Sequence, residues 1–540
     1  MADVDVLIAG AGPVGLTAAS ELCRRGVSCR VVDQLPARLP YARAVGVQPR
    51  TLEIWDRMGM VREALEAAVP LKGQLLYVNG EEGPRIDLRL PPEVPYGFAA
   101  LPQYETERLL EELLLRWGGQ VERATALVSF EQDSDEVRAV LSLPSGSTEE
   151  LTARYLVGCD GAHSAVRKGL GLSFEGAALP EEYMLGDVEV DWDLPEGYGI
   201  RASHVVDGRT DDILVCIPLP GEKRYRMSMA TPPELSRATR ADADGVTHGL
   251  SGDQSPVPGI GHIQTVLDRL SPRPATASSL RWSSVFRISH RIVGRYGRGR
   301  VFVAGDAAHI HPPTGAQGMN TGVQDAFNLG WKLAAAVRGH ASAGLLESYD
   351  AERRPIGEEV VARTLRHVRS GVQDDPADPE TMMLREAQLL LGYRGSPAVA
   401  PGGSEPDGPA PGDRAPDCGG LLYSLGTFPV RLFTLLRERE HTLLLYADRE
   451  DLPTSFDEVA REAARAAHGL LNTCVILAPH LRAPTPHLPA LHDGVGEFRR
   501  AYGVVGGEAV LVRPDGYVGV RAAPADGLEL RAYLETLFGT

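Results

Sequence analysis

Apolar and polar positions follow two periods along this chain, and the switches between them predict its elements. Val6 to Ala9 form an apolar run that follows two aspartates and enters a glycine cluster, so a buried strand is predicted over 4–9. Residues 13–25 carry Leu16, Ala19, Leu22 and Cys23 at helical spacing, Gly26 stops them, and 28–33 read as a second strand. Together these make one strand–helix–strand unit. Further helices are predicted over 49–57, ended by a glycine, and over 105–117, a strongly amphipathic stretch. Residues 125–142 and 151–158 alternate like strands. Between about 180 and 290 the pattern changes to separate strand-like runs, 183–190, 213–218 and 224–229, divided by polar and proline-rich turns. That predicts an antiparallel sheet inserted into the strand–helix framework.

Residues 300–305 read as another buried strand, followed by a glycine-rich turn and a long helix over about 318–338. The stretch 395–417 is rich in proline and glycine with no apolar periodicity, which marks a linker and a domain boundary. After it come a strand at 442–447, a helix at 456–468, a strand at 473–478, a short helix near 496–502, a hairpin turning at Pro514-Asp515-Gly516 and a closing helix at 527–538. That is the element order of a thioredoxin-like domain. YADRED stands where such a domain would carry its CxxC, so a redox-inactive packing or assembly role is expected.

Composition narrows the function. At 540 residues, two to four domains are expected. The 43% hydrophobic and 24% charged fractions describe a globular chain with no run long enough to span a membrane. A net charge of −17, from 55 basic and 72 acidic residues, repels a polyanion and argues against nucleic acid as partner. Six scattered cysteines without a CxxC or a paired cluster argue against zinc, iron–sulfur and disulfide frameworks, so a reducing cytoplasm and no metal are expected. Only four of the 55 basic residues are lysines, a bias that GC-rich coding explains as readily as any physical demand.

The candidate chemistry starts in the first turn, Gly10-Ala11-Gly12-Pro13-Val14-Gly15, which follows a strand and opens a helix. Gly10 permits the tight turn, Gly12 lets the backbone approach a pyrophosphate, and Gly15 lets helix and strand pack closely. The helix N-terminus offers N–H groups to phosphates, while Asp33, at the end of the next strand, can accept from a ribose hydroxyl. This predicts dinucleotide binding without separating FAD from NAD. Three further segments bear on that choice. Asp160-Gly161 ends a strand, Gly305-Asp306 ends another, and Arg43, Gln48 and Arg50 precede an early helix. A carboxylate at Asp306 can hold a polyol chain, and the turn from Pro312 and Pro313 to Gly318 lets backbone pass close to a flat ring. The helix starting near Gly318-Met319-Asn320 points its dipole there, which suits an anionic reduced flavin.

GAGPVG at 10–15, CDGAHSAVR at 159–167, GDAAHIHPPTGAQGMNTGVQDAFNLGWKLA at 305–334 and YDAERRP at 349–355 together resemble the FAD-dependent aromatic hydroxylases, the single-component flavoprotein monooxygenases typified by para-hydroxybenzoate and phenol hydroxylases. The resemblance is strong over 3–370, and the tail is similar to that of longer members, including those that tailor aromatic polyketides. It implies an α/β fold with a Rossmann-like FAD-binding domain over 1–70, 101–178 and 286–394. A mixed β-sheet substrate domain is expected over 71–100 and 179–285, a linker over 395–415 and a thioredoxin-like domain over 416–540.

The resemblance also implies roles. The Gly10–Gly15 turn holds the ADP part of FAD, Asp33 its ribose, Arg43 and Gln103 contact the cofactor, and Gly305 and Asp306 lie at the ribityl chain. The backbone of Pro313 and of Gly318 to Asn320 faces the ring, and Asp160 is linked to both FAD and reduced nicotinamide. With no second dinucleotide motif, Arg43 and Arg167 are candidates for the phosphates of NADPH or NADH, with surface or FAD pairing as the plain alternative. The implied reaction is oxygen transfer from a flavin hydroperoxide, made from dioxygen, to a phenolic or polycyclic aromatic ring. Pro312 stiffens the loop at the reacting edge, and Tyr225 and Arg226 are the expected catalytic pair. Tyr104, His204, Trp282 and Phe286 are further candidates for substrate contact. His309 and His311 are expected to be structural, since no acidic partner stands at ligand spacing. A simple phenol as substrate, Baeyer–Villiger insertion, and an oxidase or dehydrogenase on the same fold remain the alternatives. A homodimer is the expected form if the chain assembles.

Overall fold

Strand Val4–Ala9 pairs in parallel with Cys29–Asp33 on one side and with Thr148–Gly158 on the other. In the computed structural model, residues 2–539 are described except 42, 237–256, 313, 371–377, 403–406, 452 and 482–487. The first sheet has eight strands, and strand Val301–Val303 adds in parallel beside Thr148–Gly158. Helix Pro13–Cys23 connects its first two strands, starting with proline at its first position and packing its apolar face on the long helix Gln317–Val337. Two further strands of this sheet, Ala126–Gln132 and Val137–Ser142, form an antiparallel meander with Thr148–Gly158.

The expected inserted sheet is present and larger than the runs in the sequence suggested. Nine strands take part, including Phe174–Val190, Tyr198–Val206, Arg209–Pro218, Arg224–Ala230 and Ala277–Val293. All its pairs are antiparallel except that of Tyr198–Val206 with Gly73–Val78, so the sheet is mixed. Helix Ile260–Leu270 covers one face, where Met184, Val188, Tyr225, Met227 and Met229 join a core with Ile263 and Leu267. Two long strands, Phe174–Val190 and Ala277–Val293, run across the positions where the sequence suggested domain boundaries, and the second reaches His309–Ile310 beside the flavin-domain turn. The sheet is therefore fastened to the first domain through its own hydrogen-bond ladder.

The C-terminal sheet has six strands, with parallel His441–Ala447, Leu471–Leu477 and Ala490–Asp493 flanked by the antiparallel hairpin Gly507–Val512 and Val518–Ala522. Helices Pro453–Ala466 and Gly527–Leu537 pack on one face, in the thioredoxin-like arrangement. Its core does not stop at its own residues: Trp331, Ala335 and Leu345 of the first domain are part of it. The described residues of 395–417 contain no helix or strand, as their composition predicts, but they are pinned down rather than trailing free. Ala400 N–H donates to Gly519 O at 2.9 Å, Gly412 N–H to Val518 O at 2.7 Å, and Ala398 and Ala415 are buried.

Candidate active site

Register brings the glycine turns together. Ala9 lies opposite Gly158, and Gly158 opposite Val303, so three parallel strands end at one line and hand over to Gly10, Cys159-Asp160 and Ala304-Gly305. Ligands of open α/β sheets bind at such carboxyl ends. The three glycines of the first turn then divide their tasks by what surrounds them. A side chain on Gly10, whose φ is +98°, would collide with the Cys159 carbonyl, and one on Gly15 with the Gly10 carbonyl. Those two glycines serve close packing. Gly12 has no neighbour within 4 Å of where a Cβ would stand, and it caps helix Pro13–Cys23 without a side-chain acceptor. Its open side and the unsatisfied N–H groups behind it form the cradle a pyrophosphate needs.

Around this cradle, Asp33 is held in place by N–H donors from Ala11 at 2.7 Å and Leu35 at 2.8 Å. Asp160 accepts from Ala165 N–H at 2.7 Å and Val166 N–H at 3.2 Å through one oxygen, while its other oxygen is buried with no hydrogen-bond partner among the described residues. Burial raises its carboxyl above the usual range. A buried acceptor without a donor at the edge of the cradle fits a hydroxyl-bearing ligand. Val14 packs on Gly305, where a Cβ would approach it to 2.8 Å, so the first turn and the second loop touch directly. Residues 10–15, 33, 160 and 305 thus lie together, with Asp306 next in the chain, and the chemistry of this set suits the ADP and ribityl parts of FAD.

The second loop is held from behind by residues the sequence reading did not single out as site residues. Asp325, fully buried in helix Gln317–Val337, accepts from Gly305 N–H at 3.1 Å, from His309 Nε2 at 2.8 Å and from Arg353 Nε at 2.8 Å. Burial alone would raise this carboxyl, but Arg353 and His309 outweigh it and hold it below the usual range. His309 stacks on Tyr296 and on His311. Burial, then the charge of His309, pushes His311 down to about 4, so it is neutral near pH 7. Among the described residues no group of three His, Cys, Asp or Glu could hold a metal ion. The signal for Asp325 was in the sequence: an acid inside a long helix flanked by Val323, Ala326, Phe327 and Leu329.

Asn320 is committed to the scaffold. Its Oδ1 accepts from Gln48 N–H at 2.9 Å and Thr51 Oγ1 at 2.7 Å, and its Nδ2 donates to Gly46 O at 3.0 Å and Ala316 O at 2.6 Å. It fixes the start of its helix, leaving the backbone of Gly318 and Met319 for any contact with a ring. The turn ahead of it runs through Gly315 and Ala316, at φ +73° and +55°. Pro312 is buried in this loop, and Pro313 lies outside the described residues. Gln103 fastens the Arg43 loop, accepting from Ala44 N–H at 3.1 Å and donating to Glu107 at 2.8 Å. Arg43 itself is exposed. Arg167, the other candidate for the nicotinamide phosphates, is 3% exposed, lies over the Phe174 ring at 4.0 Å and donates to Ala307 O at 3.4 Å.

Strand alternation separates the expected catalytic pair. Tyr225 points into the core beneath helix Ile260–Leu270 and meets Trp192 edge to face at 5.3 Å. Arg226 points to the opposite face, donates to Arg43 O at 2.9 Å and lies over the Trp282 ring at 4.7 Å; its Nη1 is buried with no hydrogen-bond partner among the described residues. Burial lowers this guanidinium to about 10, leaving it charged near neutrality. Trp282 stacks on Tyr41 at 5.5 Å and Phe286 lies 6.0 Å from Tyr183, while Arg224 pairs with Asp187 and reaches Tyr104 OH at 3.1 Å. His204 is elsewhere, bonded to Asp211 near an exposed hairpin.

The comparisons agree with this geometry. Residues 3–364 match the family model described as FAD binding domain, and 408–540 match the aromatic-ring hydroxylase C-terminal domain. The chain is 34% identical over 532 residues to a flavin-dependent monooxygenase of Mycobacteroides abscessus, covering 95% of this chain and 96% of that one. It is 31% identical to the pentachlorophenol 4-monooxygenase of Sphingobium chlorophenolicum, covering 96% and 94%. The structure of an aklavinone-11 hydroxylase in ternary complex with FAD and aklavinone superposes with a TM-score of 0.78 at 26% identity, covering 99% of each chain. With both domains matched and relatives aligned over nearly its whole length, this chain belongs to the FAD-dependent aromatic-ring hydroxylases and is a flavin-dependent monooxygenase.

Proposed function

We propose that the protein hydroxylates a phenolic ring of a polycyclic aromatic polyketide, with dioxygen as oxidant and NADPH or NADH as reductant. The observation that supports this reading is the face of the second sheet opposite helix Ile260–Leu270. Tyr183, Leu185, Ile213, Val215 and Phe286 point away from the helix-covered core yet stay only half-buried, with Trp282 and Arg226 beside them. A half-buried aromatic and aliphatic wall with one buried cation is the surface a flat, oxygenated ring system fits. The aklavinone-11 hydroxylase, whose complex holds FAD and aklavinone, shares the fold over nearly its whole length.

Bound FAD supplies electron transfer from the nicotinamide and activation of dioxygen. The residues of the chain hold and orient. Asp33, Asp160 and Asp306 bind its hydroxyls, and the N–H groups behind Gly12 bind its pyrophosphate. Arg226, anchored by the Arg43 carbonyl and the Trp282 ring, offers Nη1 to a substrate oxygen and stabilises the charge that builds there as the ring is activated. Pro312 keeps the loop at the reacting edge stiff, and the apolar wall excludes water. Exposed Arg43 carries the attraction for a nicotinamide phosphate, since Arg167 is enclosed. The reading includes a cytoplasmic enzyme that works alone or as a homodimer.

The similarity to pentachlorophenol 4-monooxygenase favours a second reading, in which the substrate is a simple phenol. Purified FAD-loaded protein, given NADPH and oxygen-18 dioxygen with aklavinone or with pentachlorophenol, separates them. One labelled oxygen in the polycyclic product is expected, with Arg226→Met weakening substrate binding about tenfold. Label only in the simple phenol moves the reading to the second substrate class, and product without label sinks oxygen transfer altogether.

A further inference from the structure

The tip of the C-terminal hairpin is buried inside the flavin domain. Hairpin tips ordinarily face water, because their backbone and polar side chains need partners. Here Arg513 is fully buried and Asp515 is 2% exposed, and the first domain supplies the partners. Arg513 donates to both oxygens of Glu352, at 2.6 and 2.8 Å, and Glu352 also accepts from Lys332 at 2.6 Å and Asn328 at 2.7 Å. The Asp515 carboxylate accepts from Asn328 at 2.9 Å and Trp331 Nε1 at 3.2 Å, and its carbonyl accepts from Arg50 at 2.8 Å. The Pro514 carbonyl accepts from Arg57 at 3.0 Å.

Two series of contacts lead from this tip to the two sides of the flavin loop. In one, Tyr517 packs on Tyr393 with ring centres 4.1 Å apart, Arg353 donates to Tyr393 OH at 3.2 Å and to Asp325 at 2.8 Å, and Asp325 holds Gly305 N–H. In the other, Arg50 belongs to helix Pro49–Met58, where Thr51 and the capping residue Gln48 hold Asn320. Every hydrogen-bonded link is buried at least in part, and releasing one leaves a desolvated donor or charge without its partner, which is costly.

We propose that the tail's hairpin tip, Arg513 to Tyr517, is a positioning element of the flavin site, setting Gly305 through Tyr393, Arg353 and Asp325, and Asn320 through Arg50. The tail then serves the cofactor without chemistry of its own, which is what a thioredoxin-like domain lacking CxxC can do. The inference depends on FAD binding and not on the choice of substrate.

The test compares three variants of the FAD-loaded full chain. Tyr393→Phe deletes one hydroxyl and Tyr517→Leu one stacked ring, both on the proposed path, while Val475→Ala loosens the tail's core away from it. Both path variants are expected to raise the FAD dissociation constant about three- to tenfold and to change the visible absorption band and midpoint potential of the bound flavin. Val475→Ala is expected to lower the melting temperature with the flavin readouts unchanged. Arg513→Ala is expected to yield little folded protein, so the hydroxyl deletion carries the decision. Path variants with unchanged affinity, spectrum and potential overturn the proposal, and so does Val475→Ala moving the flavin readouts in parallel. Since no substrate enters these measurements, they stand whatever the oxygen-18 result.

Discussion

The two glycine-rich loops that meet at the proposed flavin site are built in opposite ways. The first, Gly10 to Gly15, is held almost entirely by its immediate surroundings: the strand before it, the helix after it and the strand ends beside it. The second, Gly305 to Asn320, depends on residues from three other parts of the chain, with Asp325 and Arg353 behind Gly305 and the helix start Gln48 to Thr51 behind Asn320. A loop made by its own strand–helix junction is robust to changes elsewhere. One made by buried polar groups from distant elements transmits those changes.

Substitutions can break that comparison. The largest effect is expected at Asp325: Asp325→Ala strands Arg353 and His309 in the core and should cost about 3–5 kcal/mol, measured by denaturant unfolding of the FAD-loaded protein. A loss below about 1 kcal/mol would mean that the second loop stands without its distant supports. Gly10→Ala comes next, at about 3 kcal/mol, because its φ and the Cys159 carbonyl both exclude a side chain. Its neighbour sharpens the contrast: Gly12→Ala should change stability by less than about 1 kcal/mol yet weaken FAD binding tenfold or more, since only the ligand needs that space. Equal unfolding effects at the two glycines would remove the distinction between packing and ligand positions. Asp306→Ala is expected to behave like Gly12→Ala, with a fall in flavin occupancy that outruns any fall in melting temperature.

A further test is a pH dependence. His311 falls to about 4 in the folded chain against an ordinary 6.5, so between those values the unfolded chain binds the extra proton. Stability is therefore fully present above pH 6.5 and declines as pH falls towards 4. His311→Phe should flatten the melting temperature over that window, and an unchanged slope would show that the second loop's other groups set it. Asp325, held below the usual carboxylate range, contributes in the same direction at lower pH.

Legibility followed the same division. Val4–Ala9, helix Pro13–Cys23 and the acid at the end of Cys29–Asp33 could be read to within two residues, because hydrophobic period, proline at the helix start and glycine at its end are local signals. Arg226 was readable as a candidate, but pairing it with Tyr225 could not survive a strand whose side chains alternate between faces. Arg167 sits beside a motif that draws phosphates, and nothing local says that Phe174 will cover it. The proline- and glycine-rich stretch from 395 looked like a spacer because composition reports what a segment cannot form, not what its backbone is bonded to.

The sequence by itself determined the strand–helix–strand cradle, the family and the absence of a CxxC in the tail. Those properties rest on neighbours along the chain or on residues that are present or missing. The tertiary structure alone decided that Ala9, Gly158 and Val303 end side by side, that Asp325 stands behind Gly305, and that a hairpin tip some two hundred residues later is buried against the same framework. Buried polar groups must find partners wherever the fold brings them, and no pattern along the chain says in advance which distant residue that will be.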